Sequence, residues 1–109
     1  MVHKASVASL QADIQQGNGG RLAISGDLSF DSVAHLWRKI HDWFRDREVL
    51  DIDLSGVQRS DSAGVALLVS CLRQAQQSGK TVRFFNIPAQ MLALARVSSL
   101  DQVLPLQHD

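Results

Sequence analysis

The sequence has almost no cysteine, with Cys71 the single one among 109 residues. One thiol excludes an intramolecular disulfide framework and fits a reducing compartment. His35 and His41 are six residues apart in a predicted helix, so they point to different sides of it and cannot share a metal ion. The other two histidines lie near the two ends of the chain. We therefore predict that the protein has no metal site.

Long apolar runs and an excess of either charge are also missing. No stretch approaches the roughly 18 apolar residues that span a bilayer, and residues 1–6 lack the apolar core of a signal peptide. Lys plus Arg and Asp plus Glu each number 11, which gives a formal charge of zero. A protein that acts through nucleic-acid phosphates needs a basic stripe. We therefore predict a cytoplasmic protein that does not bind nucleic acid.

The motifs of common enzyme classes are absent too. The sequence has no Gly-x-Ser-x-Gly elbow and no phosphate-binding loop with Gly-Lys-Ser/Thr. Asp51 and Asp53 alternate onto one side of a predicted strand and Asp61 follows it, but nothing else converges on these carboxylates for acid–base work. We predict no catalytic residue and no cofactor, and we interpret Asp53 and Asp61 as acceptors for backbone N–H groups.

Apolar residues make up 45% of the chain, and their spacing predicts one α/β domain over residues 1–109. The predicted strands are 7–16, 21–26, 49–54, 81–85 and 103–104. The predicted helices lie between residues 29 and 46, at 62–78, and from Pro88 onwards. The first is predicted from an apolar stripe at helical spacing, namely Val33, Leu36, Trp37, Ile40 and Phe44. The apolar side of the third is predicted to consist of Met91, Leu92, Leu94, Ala95 and Val97. This order favours a mixed, mostly parallel sheet of four to five strands, opened by a hairpin turn at 17–20 and flanked by three to four helices. Residues 1–5 are expected to be a flexible leader and 107–109 a flexible tail.

The stretch from Asp53 to Gly64 organises this domain. An apolar strand precedes it, and the first ten residues of the following helix, 63–72, carry no charge. We predict a polar loop that delivers Ser62 to the first helical turn, where unpaired N–H groups favour negative charge. Two interpretations of Ser62 stay open: a helix N-cap worth about 1 kcal/mol, or an exposed hydroxyl that is phosphorylated or contacts a partner.

The helix after Ser62 is more apolar than one sheet face requires. Its predicted core stripe consists of Val65, Leu68, Val69 and Leu72. Three further apolar residues widen this stripe, namely Ala66, Leu67 and Cys71. A helix of this kind is either wholly buried or docks a partner. We adopt partner docking as the hypothesis.

The segment Asp53-Leu54-Ser55 … Asp61-Ser62-Ala63-Gly64 resembles the signature of the STAS domain, the fold of anti-sigma-factor antagonists and of sulfate-transporter tails. The resemblance extends from about residue 7 to 106. It implies a mixed sheet opened by a hairpin, and a Ser62 that is a phosphoryl acceptor or a partner contact. Asp53, Ser55 and Gly64 are the predicted supports of the loop.

Three further segments resemble one branch of this family, the small cytoplasmic STAS subunits of Mla-type phospholipid transporters. They are Leu36-Trp37, Ala66-Leu67-Leu68, and the stretch from Leu94-Ala95 through Leu100 to Val103-Leu104-Pro105. The branch implies a regulatory subunit that binds the ABC ATPase of a bacterial inner-membrane complex and meets the membrane only through it. The predicted docking face consists of Arg59, Ser60, Asp61, Ser62, Ala63 and Leu67.

The alternative is an anti-sigma-factor antagonist whose Ser62 is phosphorylated by a serine kinase. Arg59-Ser60 before the motif and Val65-Ala66 after it differ from the pattern of phosphorylated antagonists, which favours the binding role. A third hypothesis, a small-molecule or nucleotide sensor, has only the N–H groups at the helix start to support it.

Overall fold

The computed structural model describes residues 12–109, so the predicted leader and the first part of the first predicted strand lie outside the described residues. One five-stranded sheet contains, in spatial order, β1 (Ala12–Gln16), β2 (Leu22–Leu28), β3 (Val49–Ser60), β4 (Thr81–Phe85) and β5 (Leu106–Gln107). The helices are α1 (Phe30–Arg45), α2 (Ser62–Ser78) and α3 (Ala89–Val97). Short 3-10 helices occupy Asn18–Gly20 and Leu100–Gln102.

The predicted mixed sheet opened by a hairpin is confirmed. Strand β1 pairs with β2 in antiparallel fashion, and the pairings of β2 with β3, β3 with β4 and β4 with β5 are parallel. The hairpin turn places Gly19 and Gly20 at φ values of 68° and 80°, a region that glycine enters without steric cost. Helix α2 also ends as predicted, with Gly79 in the left-handed conformation.

The prediction of a polar loop between Asp53 and Ser62 is wrong. Strand β3 continues to Ser60 because β2 pairs with it as far as Leu28 opposite Ser60, across two irregularities in the register. Pairing with β2 satisfies the backbone N–H and C=O groups of this polar stretch that face β2. A single residue, Asp61, therefore separates β3 from α2.

Two boundaries near the end of the chain also differ from the prediction. Pro88 is the N-cap of α3, with ψ at 152°, rather than its first helical residue. The strand predicted at 103–104 is wrong, because pairing with β4 begins only at Leu106. Leu104 is instead buried in the core, and Phe84 N donates a hydrogen bond to Pro105 O.

The core lies where the helices cover one face of the sheet. Alternating residues of β3, namely Leu50, Ile52 and Leu54, are buried, as a period of two requires. The predicted stripe of the first helix is confirmed, since Leu36, Ile40 and Phe44 are buried and Val33 and Trp37 are partly buried against them. The junction that carries Ser62 therefore starts from a strand fixed in the centre of the sheet.

The other face of the sheet carries ion pairs. Asp51 accepts two hydrogen bonds from Arg83, at 2.7 and 2.8 Å, and the Arg21 guanidinium lies 3.7 Å from the centre of the Phe85 ring. Both Arg21 Nη atoms also lie 2.7 Å from the carboxylate oxygens of Asp109. Residues 107–109 thus make defined contacts, and the flexibility expected for them stays a prediction.

The hydrogen bonds from Arg21 and Asn86 lower the pKa of Asp109 to about 2 from its ordinary 3.8. Because the folded-state pKa is depressed, this contact stabilises the fold above about pH 3.8, and the stabilisation is lost as the pH falls toward 2. We expect an NMR titration of the Asp109 carboxyl carbon to give a midpoint near 2, which moves upward in Arg21→Met. A midpoint that is the same in both proteins would show that the pair does not persist in solution.

Candidate partner-binding surface

The candidate site is built on the junction between β3 and α2. Asp61 is the N-cap of α2, and its Oδ1 accepts a hydrogen bond from Ala63 N at 2.8 Å. Its Oδ2 accepts one from Phe30 N at 3.4 Å, so one carboxylate joins the starts of α1 and α2. The interpretation of Ser62 as the N-cap is therefore wrong. Ser62 is the first residue of the helix, and it is exposed.

Gly64 brings the first turn of α2 into direct contact with the strands. A Cβ atom at this position would lie 2.0 Å from Ser60 Oγ and 2.8 Å from Leu28 Cβ, so only glycine fits. Ser60 itself is buried, and its Oγ donates a hydrogen bond to Asp61 O at 2.9 Å. The close approach fixes the position of Ser62 relative to the sheet.

Gln90 attaches α3 to the same junction. Its Oε1 accepts a hydrogen bond from Ser60 N at 2.9 Å, and its Nε2 donates one to Ser60 O at 2.7 Å. One side-chain amide thus pairs with both backbone groups of the last residue of β3, as a neighbouring strand would. The role of Gln90 could not be predicted from the sequence, since a lone amide in the first turn of a helix carries no distinguishing signal.

Replacing Gln90 with alanine is expected to lower the free energy of unfolding by about 1–2 kcal/mol, because two hydrogen bonds to the buried end of β3 are lost. Urea denaturation followed by circular dichroism measures the change. The matched control is Gln77→Ala at an exposed position of α2, for which we expect a change within about 0.5 kcal/mol. Equal effects of the two substitutions would contradict a role for Gln90 at the junction.

A groove of about 510 Å³ lies beside Ser62, between α2 and the end of α3. It is lined by Ser62, Val65, Ala66, Val69, Ser70 and Arg73 from α2, and by Leu94, Val97, Ser98 and Leu100 from α3 and the turn after it. The α2 residues recur at the spacing of one helix face. The prediction that Val97 belongs to the apolar packing side of its helix is wrong, because 86% of it is exposed.

The predicted docking face lies only partly on the surface. Its exposed members are Arg59, Asp61 and Ser62, and Ala63 is half-buried. Ser60 and Leu67 are only 5% and 4% exposed, so their inclusion is corrected: Ser60 lies beneath Gly64, and Leu67 packs into the core. Ala66 and Ser70, by contrast, are exposed and line the groove.

Two of the three predicted loop supports lie away from the site. Asp53 Oδ1 accepts a hydrogen bond from Ser55 N at 2.9 Å, but both residues belong to β3 and not to a loop. At about 3.3 Å per residue they are roughly 15–25 Å along the strand from its junction with α2. Gly64 is the one member of this set that contacts the junction.

Residues 12–109 contain no cluster of His, Cys, Asp or Glu that could hold a metal ion. Burial raises the pKa of the Cys71 thiol to about 12, so this sulfur is protonated at neutral pH and is a poor nucleophile. None of the described helices is long and apolar enough to cross a membrane.

Comparison with known proteins decides the family. The model of the family described as "Mlab, STAS domain" matches residues 12–106. The chain belongs to the STAS domain family. This STAS domain is 33% identical over 96 residues to the intermembrane phospholipid transport system binding protein MlaB of Haemophilus influenzae, with 84% of this chain and 91% of that protein covered. The protein of the same name from Escherichia coli K12 is 33% identical over 88 residues, covering 80% of this chain and 89% of the relative.

Solved structures show the same fold. The anti-sigma factor antagonist SpoIIAA in its unphosphorylated form superposes with a TM-score of 0.70 at 15% identity, covering 90% of this chain and 87% of that one. An antagonist from Mycobacterium paratuberculosis gives a TM-score of 0.72 at 20% identity, covering 87% and 82%. The predicted STAS fold is confirmed, and at these identities the likeness concerns the fold alone.

Proposed function

We propose that this STAS domain is a non-catalytic, regulatory or stabilising subunit of a phospholipid transport system, and that it binds the ABC ATPase of that system at the cytoplasmic face of the inner membrane. The observation that carries the proposal is the 33% identity, over at least 80% of the chain, to two proteins named as binding proteins of an intermembrane phospholipid transport system. The exposed Ser62 and the groove beside it support a binding role for this chain.

The junction suits this role because it is held from several sides. Asp61 caps α2, Gly64 seats the helix on the sheet, and Gln90 attaches α3. A surface that is already ordered loses little conformational entropy when a partner binds. If the subunit binds one conformation or the dimer of the ATPase more tightly, it shifts the population toward that state without any chemical step.

Phosphorylation of Ser62 is the alternative to ATPase binding, and the affinity purification described below distinguishes the two. A phosphoryl group there would lie at the N-terminus of α2, where the helix dipole favours negative charge. The carboxylate of Asp61, which caps that helix start, opposes the added charge. We therefore propose that the Ser62 hydroxyl is unmodified and contacts the ATPase.

Affinity purification of the tagged full-length protein from its native cells, with bound proteins identified by mass spectrometry, tests the proposal. We expect an ABC ATPase together with its permease in the membrane fraction. Recovery of a serine kinase, with phosphate on Ser62 of the bait, would overturn the proposal and establish the switch.

A further inference from the structure

We propose that Asp13 closes the outer edge of β1 against pairing with the same strand of a second copy of this chain. The proposal goes beyond the proposed function, because it concerns how this chain meets its own copies and involves no other protein. Three observations support it: the outward backbone groups of β1, the position of the Asp13 carboxylate, and the difference between the two edges of the sheet.

The outer edge of β1 presents backbone groups that β2 does not pair. Strand β1 is the first in the sheet order, and no strand within residues 12–109 lies beyond it. Gly17 N donates a hydrogen bond to Arg21 O at 2.6 Å, so the backbone of Gly17 faces β2. Because backbone direction alternates along an antiparallel pair, every second residue before Gly17 also faces β2. The residues between them direct their N–H and C=O groups outward, namely Ala12, Ile14 and Gln16.

Unpaired outward groups are a template for a further strand, and the Asp13 carboxylate lies where that strand would run. Its Oδ1 accepts a hydrogen bond from Ile14 N at 2.8 Å, so the central outward donor of β1 is already paired. Its Oδ2 accepts one from Gln15 Nε2 at 3.1 Å, and Lys39 Nζ of α1 lies 3.8 Å from Oδ1. A second strand has to displace this carboxylate before it can pair with Ile14.

The charge of Asp13 adds to this obstruction. The hydrogen bond from Ile14 N, followed by that from Gln15, lowers the pKa of Asp13 below its ordinary 3.8, so the carboxylate is ionised at neutral pH. If two β1 strands paired in antiparallel fashion around Ile14, their Asp13 side chains would be diagonal neighbours on one face, roughly 7–8 Å apart. The Lys39 ammonium is 45% exposed, and a pair of this kind compensates little in water.

The two edges of the sheet differ in their need for such a residue. At the opposite edge, β5 contains only Leu106–Gln107, and a very short edge strand is by itself a poor template. Strand β1 has five residues in register with β2, which is enough for three outward positions. Asp13 therefore lies on the longer of the two edges, where pairing with a second copy would form the larger ladder.

Sedimentation velocity of the full-length protein tests the proposal with Asp13→Thr. Threonine is uncharged and favours strands, so we expect this variant to dimerise at least tenfold more tightly than the unsubstituted protein. The matched control is Asp53→Thr. Asp53 Oδ1 likewise accepts a hydrogen bond from a backbone group, Ser55 N, but β3 lies between β2 and β4, so its loss should leave association unchanged. Circular dichroism checks that both variants are folded.

A further variant and a second readout identify the surface that associates. Adding Gln16→Pro to Asp13→Thr removes an outward N–H donor and should return association to that of the unsubstituted protein. In Asp13→Thr alone, amide hydrogen exchange at Ile14 should slow as the protein concentration rises. The proposal is overturned if Asp13→Thr associates no more than Asp53→Thr, if the double variant still associates, or if exchange at Ile14 is independent of concentration. These experiments contain no ATPase, so their failure leaves the proposed subunit role standing.

Discussion

Replacing Gly64 with alanine is expected to lower the free energy of unfolding by about 2–3 kcal/mol, the upper range for overpacking of a close contact. The added Cβ would lie 2.0 Å from Ser60 Oγ and 2.8 Å from Leu28 Cβ, so the first turn of α2 has to move away from β2 and β3. For a domain of this size the loss corresponds to a decrease in Tm of about 10 °C. Thermal unfolding followed by circular dichroism measures it.

A second glycine provides the matched control. At Gly79 nothing lies within 4 Å of an added Cβ, and the cost comes only from φ at 67°, which is about 1–2 kcal/mol for a residue with a side chain. Combining Gly64→Ala with Ser60→Ala removes the nearer clash and should restore part of the stability. If Gly64→Ala and Gly79→Ala were equally stable, the contact between α2 and the strand ends would not be tight in solution.

Replacing Ser62 with tryptophan is expected to weaken binding of the ABC ATPase at least tenfold while the domain stays folded. Ser62 is exposed at the first position of α2 and lines the groove, so a large side chain blocks a close-fitting partner without disturbing the core. Isothermal titration with the purified ATPase measures the affinity, and circular dichroism checks the fold.

Two further variants separate steric blocking from other effects of that substitution. Thr81→Trp adds the same bulk at an exposed position of β4 and should bind the ATPase normally. Ser62→Ala should weaken binding by only about fivefold, because losing one hydroxyl contact costs about 1 kcal/mol. If Ser62→Trp bound the ATPase as tightly as the unsubstituted protein does, Ser62 would not lie in the interface.

Local patterns were sufficient to predict most of the elements. The apolar stripe that ends at Phe44 predicts α1, the glycine-rich turn at 17–20 predicts the hairpin, and Gly79 marks the end of α2. Each of these depends on residues close together in sequence, where periodicity and turn preferences decide the backbone.

The parts that could not be predicted depend on contacts between distant segments. The stretch from Ser55 to Ser60 is polar enough to look like a loop, but pairing with β2 makes it a strand. Asp61, and not its neighbour Ser62, is the N-cap of α2. Sequence patterns locate the start of a helix only to within one or two residues, so they could not distinguish these two. Gln90 reaches the junction only because α3 folds back beside β3.

Site-specific photo-crosslinking in native cells tests whether the surface at Ser62 contacts an ABC ATPase. A benzoylphenylalanine is placed at Ser62, at Ala66 or, as a control, at Thr81, and the crosslinked proteins are identified by mass spectrometry. ATPase contact at this surface predicts that Ser62 and Ala66 crosslink to an ABC ATPase and that Thr81 does not. Crosslinks to the ATPase from Thr81 alone, or crosslinks from Ser62 to a serine kinase or an anti-sigma factor, would contradict it.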